Sequence, residues 1–273
     1  MADKRVERIA ILGKNASKIE SFVTKMGGNE VKIDFSPAED FRGTRILRQA
    51  INLAYAYETS FAAADADGAP NAYHPDDIGK DCRKDAHVGL DCLGNAGFPG
   101  HAWWRDVLVA DPVDSSKPFV QVSGATKGFF IAATALRSPG GSQYDPKTYV
   151  DATSVPYIVN PSGIGQLPHV GKPGDVGFAT HLASGRTSSF IIGDSGGGSD
   201  ARLGEASIAL FAALGFPNVN PRTGAGLPTD AIQYIVFPGS RRPGKGIWPR
   251  TNTDIHAQVL ELLRVTPGIN CDA

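Results

Sequence analysis

No run of about 18 apolar residues occurs in the chain, which excludes a membrane-spanning helix. The start, MADKRVERIAILGKN, is charged and lacks an apolar stretch of about 7–15 residues before a small-residue cleavage site. It therefore does not read as a secretory signal. The expected location is open: the chain stays where it is made, leaves by a route that needs no cleavable signal, or was trimmed beforehand. Cysteine is scarce, with 3 in 273 residues and no C-x-x-C spacing, so neither a zinc site nor a disulfide scaffold is indicated. Cys82 and Cys92 are close enough to close a loop by a disulfide, although a reducing compartment would keep them as thiols. Excess charge is lacking too. The net value of −1 excludes a broadly basic nucleic-acid binder. Phosphate-loop spacing, G-x-x-x-x-G-K-[ST], is missing, as are internal repeats and low-complexity segments.

Glycine and proline are abundant, at 32 and 19, and favour many turns and short strands over long helices. Residues 1–45 are rich in charge and form an N-terminal segment, part of the domain or appended to it. Ile9–Leu12 reads as a strand, and 16–27 as a helix because Ile19, Phe22, Val23 and Met26 recur at helical spacing before Gly27-Gly28. The stretch 45–64 begins with helical periodicity. Turn residues dominate 65–118, an unusually long loop-rich region for a compact domain and for that reason a functional candidate. After Pro118 short apolar runs follow one another, FVQVSG, GFFIAATAL, VPYIVNP, VGFATHL, SSFIIGD and IQYIVFPG. Such spacing suits an antiparallel sheet or barrel rather than alternating βα units. GEASIALFAALG (204–215) reads as a buried helix and TDIHAQVLELLRV (253–265) as an amphipathic one. The expectation is an α+β fold. It comprises a β-rich curved sheet or small six-stranded, double-psi-like barrel, with a buried helix after the catalytic strand and peripheral helices. The core domain spans 46–245, and the helix in 246–273 packs on it.

GDSGGG (193–198) matches the letters around the nucleophilic serine of trypsin-like proteases and of the G-x-S-x-G elbow. A serine nucleophile needs a base and an orienting group. None of the six histidines lies in an Ala-Ala-His-Cys segment, and the helix expected after an elbow starts about nine residues late. The reactive groups of the stretch are then its acids. Asp194 ends the strand SSFIIG and Glu205 opens the following helix, with a glycine-rich loop able to bring them together. An inverting glycosidase uses two carboxyls about 6.5–9.5 Å apart, one protonating the leaving oxygen and one activating water. Alternatively, Asp194 caps turn amides and Glu205 complements a helix dipole.

IIGDSGGGSDARLGEASIALFAALGFP, followed by DAIQYIVFPGS, resembles the fungal-type chitosanases of glycoside hydrolase family 75, and the chain looks like a bacterial member. ETSFAAADADGAPNAYHPDD, GLDCLGNAGFPG and YVDATSVPYIVNPSG contribute to the same resemblance, which covers roughly residues 55–240. It implies hydrolysis of β-1,4-linked amino-sugar polymer (chitosan) by an inverting mechanism, with Asp194 and Glu205 as the catalytic acids and no cofactor. Which acid is general acid and which is base stays open: a helix N-terminus favours the anion of Glu205, while an apolar helix raises its pKa. The N-terminal segment has no counterpart in the family and is a candidate for docking a partner or export factor. Two other functions stand beside this one: an exported cell-wall toxin that cuts peptidoglycan glycan strands, and a non-catalytic carbohydrate-binding protein.

Eight acids against three bases between Glu58 and Asp91 make a local negative field suited to a cationic ligand. Asp65 and Asp67, in D-A-D-G, are candidates for substrate ammonium groups. Glycine at the fourth position breaks an EF-hand calcium pattern, and no metal is expected. Tyr73 and His74 are candidates for sugar hydroxyls, Asp151 for the cleft wall. Neighbours in a strand face opposite ways, so one ring of Trp103-Trp104 enters the core while the other, assigned to Trp104, offers a sugar platform. The partner expected is a polysaccharide, with no nucleic acid and no membrane.

Overall fold

A computed structural model of the chain describes residues 8–11, 19–26, 29–49, 54–242, 246–265 and 269–272. Among these, twelve strands share one mixed sheet. They are β1 (Arg8–Ile11), β2 (Ile19–Met26), β3 (Asn29–Phe41), β4 (Thr44–Arg48), β5 (Tyr55–Thr59), β6 (Ala63–Asp65), β7 (Tyr157–Pro161), β8 (Val176–His181), β9 (Arg186–Gly196), β10 (Glu205–Ser207), β11 (Ile232–Phe237) and β12 (Ile269–Asp272). The order is β1-β2-β3-β4-β5-β11-β8-β9-β7-β10-β6, and β12 joins β3. Three helices accompany it, α1 (Trp104–Val107), α2 (Ile208–Leu214) and α3 (Asn252–Val265). A β-rich α+β fold is therefore present; its sheet is open rather than closed into a barrel, and mixed rather than antiparallel, because β7 pairs parallel with β9 and β6 with β10.

The sheet has an apolar layer on each face. Tyr157, Val159, Phe178, Ile191 and Ile235 point to one layer, where Ile255, Val259 and Leu263 of α3 are buried with them. Ile158, Phe190, Ile192, Tyr234 and Val236 point to the other, with Leu210, Phe211 and Leu214 of α2. Period-two alternation along each strand produces this division. Thr251 and Asp254 start α3 by reciprocal bonds: the Asp254 amide donates to Thr251 Oγ1 at 3.1 Å and the Thr251 amide to Asp254 Oδ2 at 3.2 Å. Ser207 caps α2, its Oγ accepting from the Leu210 amide at 3.1 Å.

Several expectations need correction. Residues 19–26 are a strand, not part of a helix: β2 pairs with β3 from Glu20 to Met26, so ladder bonds override the helical spacing of its apolar residues. Residues 16–18 and 27–28 lie outside the described residues. The helical start expected at 45 is strand β4, paired with β3 and β5. Glu205 does not open a helix. It belongs to β10, and α2 begins at Ile208, after the Ser207 cap. FVQVSG and GFFIAATAL form only isolated bridges, such as Val120 with Phe130 and Leu108 with Ala132.

One irregularity controls the chemistry-bearing edge. β7 and β9 run parallel with Tyr157 opposite Ile191 and Ile158 opposite Ile192, but Val159 is opposite Asp194. Gly193 is thus the extra residue of a bulge. In unbroken alternation Asp194 would face the α2 layer with Ile192; the bulge turns it to the face of Tyr157 and Val159. A Cβ on Gly193 would sit 2.6 Å from the Tyr157 ring, so only glycine fits. Gly193→Ala is expected to cost about 1–3 kcal/mol through overpacking, to lower Tm by several degrees and to reduce any activity of Asp194. Gly196→Ala, whose Cβ would meet nothing within 4 Å, should leave thermal melting unchanged. Equal Tm values for the two variants would contradict this account of the bulge.

Candidate active site

Strand register assembles the site. β10 lies antiparallel to β7 with Ala206 opposite Ile158, which sets Glu205 beside Val159. Asp194 sits beside Val159 from the other side. The two acids thus flank one residue of β7 and share its face, with backbones about 10 Å apart, two strand spacings. The glycine-rich loop does not join β9 and β10 as a paired hairpin, because β7 lies between them. It crosses the end of β7, where the Ser162 amide donates to Gly196 O at 2.8 Å and Ser162 Oγ to Gly197 O at 2.7 Å. The crossing ends at Gly204, whose φ of +122° and close approach to Phe61 O require glycine.

β6 pairs parallel with β10, placing Asp65 beside Ser207 on the same face. In a flat sheet β6 would lie about 14 Å from β9. Yet the carboxylate oxygens of Asp65, Asp67 and Asp194 lie within 4.8 Å of one another. The sheet therefore curls steeply here, and the acids gather on its concave side. Two tyrosines hold them. Tyr157, fully buried, donates its O–H toward Asp65 Oδ2 at 3.0 Å and Asp67 O at 2.9 Å. Tyr73 donates to Asp67 Oδ1 at 2.8 Å and stands 3.4 Å from Asp91 Oδ2. Asp91 is anchored in turn by the Cys92 amide at 2.6 Å and Asn95 Nδ2 at 2.8 Å. Cys82 and Cys92 are joined as a disulfide, with Cα atoms 5.5 Å apart. Asp194 Oδ1 accepts from the Ala135 and Ser195 amides at 2.7 and 2.8 Å.

Burial of like charges dominates the electrostatics. Burial, then the charge of Asp65, pushes Asp194 up to about 8 against the lowering effect of its two amides. Glu205 also rises to about 8, by burial and then by Asp65, Asp194 and Asp91. Burial raises Asp65 despite the Asp67 amide and Tyr157, and raises Asp67 well above the ordinary range with help from Asp65 and Asp194. Asp91 rises to about 6 for the same first reason. Asp67, Asp194 and Glu205 keep partial solvent access while Asp65 is buried, so a ligand can reach the rim of the cluster. At neutral pH such a set holds shared protons and can act as acid and base. The three converging aspartates also offer oxygens to one cation, an ammonium group included.

The other expected site residues divide. Asp65, Asp67, Asp194 and Glu205 come together, and Tyr73 joins them from beneath as a support, only 2% exposed. Trp104 does not serve as a platform. It is buried against Phe98, whereas the neighbouring Trp103 ring is 45% exposed; the short helix α1 rather than a strand separates the two. His74 caps a turn, its Nδ1 accepting from the Asp76 amide at 3.1 Å, and its ring meets Phe129 edge-on. Asp151 closes a turn with the Thr153 amide at 2.8 Å and the hydroxyls of Thr153 and Ser154. Neither hydrogen-bonds to the cluster. Ser195 uses its amide on Asp194, and among the described residues the serine hydroxyls bonded to histidine rings are Ser184 and Ser189. Asp91, Tyr157 and the Ala135 amide are the members that sequence reasoning missed. The acid excess before residue 91 was the signal for Asp91.

Native carboxyls with raised pKa hold protons that an unfolded chain releases near pH 4. The native state therefore binds more protons between about pH 4 and 8, and their contribution to stability is lost as pH rises through that window. Glu205→Gln should match wild type in Tm below about pH 4 and exceed it at pH 8. Calorimetric melts of both proteins across pH check this, and a variant less stable than wild type at pH 8 would contradict it. No protein-family model and no curated protein sequence matches the chain.

Proposed function

We propose that the protein is a glycoside hydrolase that cleaves β-1,4-linked amino-sugar polymer, chitosan in the simplest case, with inversion at the anomeric carbon. The observation that carries the reading is the placement of Asp194 and Glu205 on either side of Val159, facing one way. Backbones about two strand spacings apart leave room for a sugar bond and one water between two carboxyls, the arrangement inversion needs. The resemblance of the GD…GE segment to family 75 chitosanases supports the same pair. Within this proposal the curved β6-β10-β7-β9 portion, with its parallel β6–β10 and β7–β9 pairs, corresponds to a double-psi-like arrangement.

Roles follow from unequal hydrogen bonding. Asp194 accepts two backbone amides, which stabilise its anion, whereas every neighbour acting on Glu205 opposes ionisation. A proton shared by the pair resides on Glu205. Glu205 then protonates the glycosidic oxygen as general acid, and Asp194 takes a proton from the water attacking the opposite face of the sugar. Asp65 and Asp67, on the floor, receive the positive charge of a glucosamine ammonium group or of the oxocarbenium-like transition state. Tyr157 and Tyr73 hold these acids in place without touching substrate.

Asp194→Asn and Glu205→Gln should each lower the rate on chitosan oligomers by about 10²–10⁴-fold while the fold persists. Proton NMR of fresh product from the wild type should show the α-anomer first. A first-formed β-anomer would replace inversion by retention, and near-full activity of either amide variant would overturn the assignment of the pair.

A further inference from the structure

We propose that the cavity beside Arg137 is an anion subsite adjoining the carboxylate cluster, taking the carboxylate of an acidic sugar in the polymer. As a subsite for substrate, it rests on the glycosidase reading. The hairpin from Thr134 to Val150 is fastened to the cluster at its root. The Ala135 amide donates to Asp194 Oδ1 at 2.7 Å and the Leu136 amide to Gly193 O at 2.9 Å. The Val150 amide closes the root on Thr134 Oγ1 at 3.0 Å. Gly68, next to Asp67, packs so closely under the Val150 carbonyl that a Cβ there would lie 2.0 Å from its oxygen.

The chain bends at Ala135 and Leu136; Ala135 is exposed, Leu136 buried and Arg137 exposed, so Arg137 is an exposed residue whose backbone lies no more than about 7 Å from the amide that holds Asp194. Its backbone is pinned by the bridge to Tyr149, and the Ser138 amide donates to Thr148 O at 2.8 Å. Here a cavity of about 520 Å³ opens, lined by Arg137, Ser138, Gly141, Gln143, Thr148 and Tyr149. Among the described residues no acid pairs with Arg137, although its charge is felt by the Tyr149 phenol. Its guanidinium is thus an uncommitted fork of donors in a pocket otherwise made of hydroxyls, an amide and backbone.

The charge order along the site is acid cluster, then cation. A polymer carrying only ammonium groups gains nothing from Arg137. A glycan in which amino sugars alternate with carboxylated amino sugars gains a charge-assisted, bidentate bond at that position. Such alternation, as in a glycan with lactyl ethers, fits both parts of the surface at once.

The test uses the full chain and two monosaccharides that differ by one lactyl group, N-acetylmuramic acid and N-acetylglucosamine. Titration followed by the Arg137 Nε–Hε NMR signal should show a shift with the first and none with the second, and Arg137→Ala should abolish the binding. On carboxylated glycan strands Arg137→Ala should raise KM about tenfold or more, the loss of one charged hydrogen bond. The kcat on those strands and both constants on chitosan oligomers should hold. Equal responses to the two sugars, or none to either, would overturn the subsite. If N-acetylmuramic acid shifts Arg137 while no polymer is cut, the subsite stands and the hydrolase reading fails.

Discussion

A single extra residue in β9 governs the rest of the site. Without the bulge at Gly193, Asp194 would face the apolar layer beneath α2, where an ionisable group would find no compensating charge. With it, Asp194 turns to the concave face and meets Asp65 and Asp67 while its Oδ1 collects two amides. The Tyr157 ring occupies the space that a side chain on Gly193 would take, and its hydroxyl reaches forward to Asp65. Backbone irregularity, aromatic packing and acid placement are therefore one feature seen at three levels.

Gathering five acids around one hollow works against folding, because each carboxylate raises the cost of ionising the next. Tyrosine hydroxyls and backbone amides offset part of that cost, and shared protons the remainder. Under the proposed function the consequence is chemically useful: groups that titrate near neutrality can exchange protons with a substrate at working pH, which ordinary surface carboxylates do not. Support is layered, from the Cys82–Cys92 disulfide through Asp91 and Tyr73 to Asp67. This places the loop-rich region before residue 118 directly behind the acids, a structural reason for its length.

Legibility from sequence followed the range of the interaction. VPYIVNP, VGFATHL, SSFIIGD and IQYIVFPG announce strands because β-branched runs between turns are local, and those strands are β7, β8, β9 and β11. Asp194 and Glu205 were visible through their motif. The strand–helix junction at Ser207 was missed because GEASIALFAALG reads as one helix that is apolar nearly all round, although a serine before IALFAAL is itself a capping signal. β2 was mistaken for helix because Ile19, Phe22, Val23 and Met26 satisfy helical spacing, and only pairing with β3 decides otherwise. Tyr157 could not be found at all. Its partner Asp65 lies 92 residues away, and the β7-β10-β6 pairing that brings them together is a matter of register, which one sequence does not display.

Carbon-detected NMR titration of the individual Asp and Glu carboxyls tests the central claim most directly. The account predicts that Asp194 and Glu205 both titrate well above the ordinary carboxyl range, Asp194 losing its proton before Glu205, and that Glu205→Gln moves the Asp194 midpoint downward by removing a neighbouring negative charge. Midpoints near 4 for both, or an Asp194 curve indifferent to residue 205, would mean that the two acids neither share a buried hollow nor act as a pair.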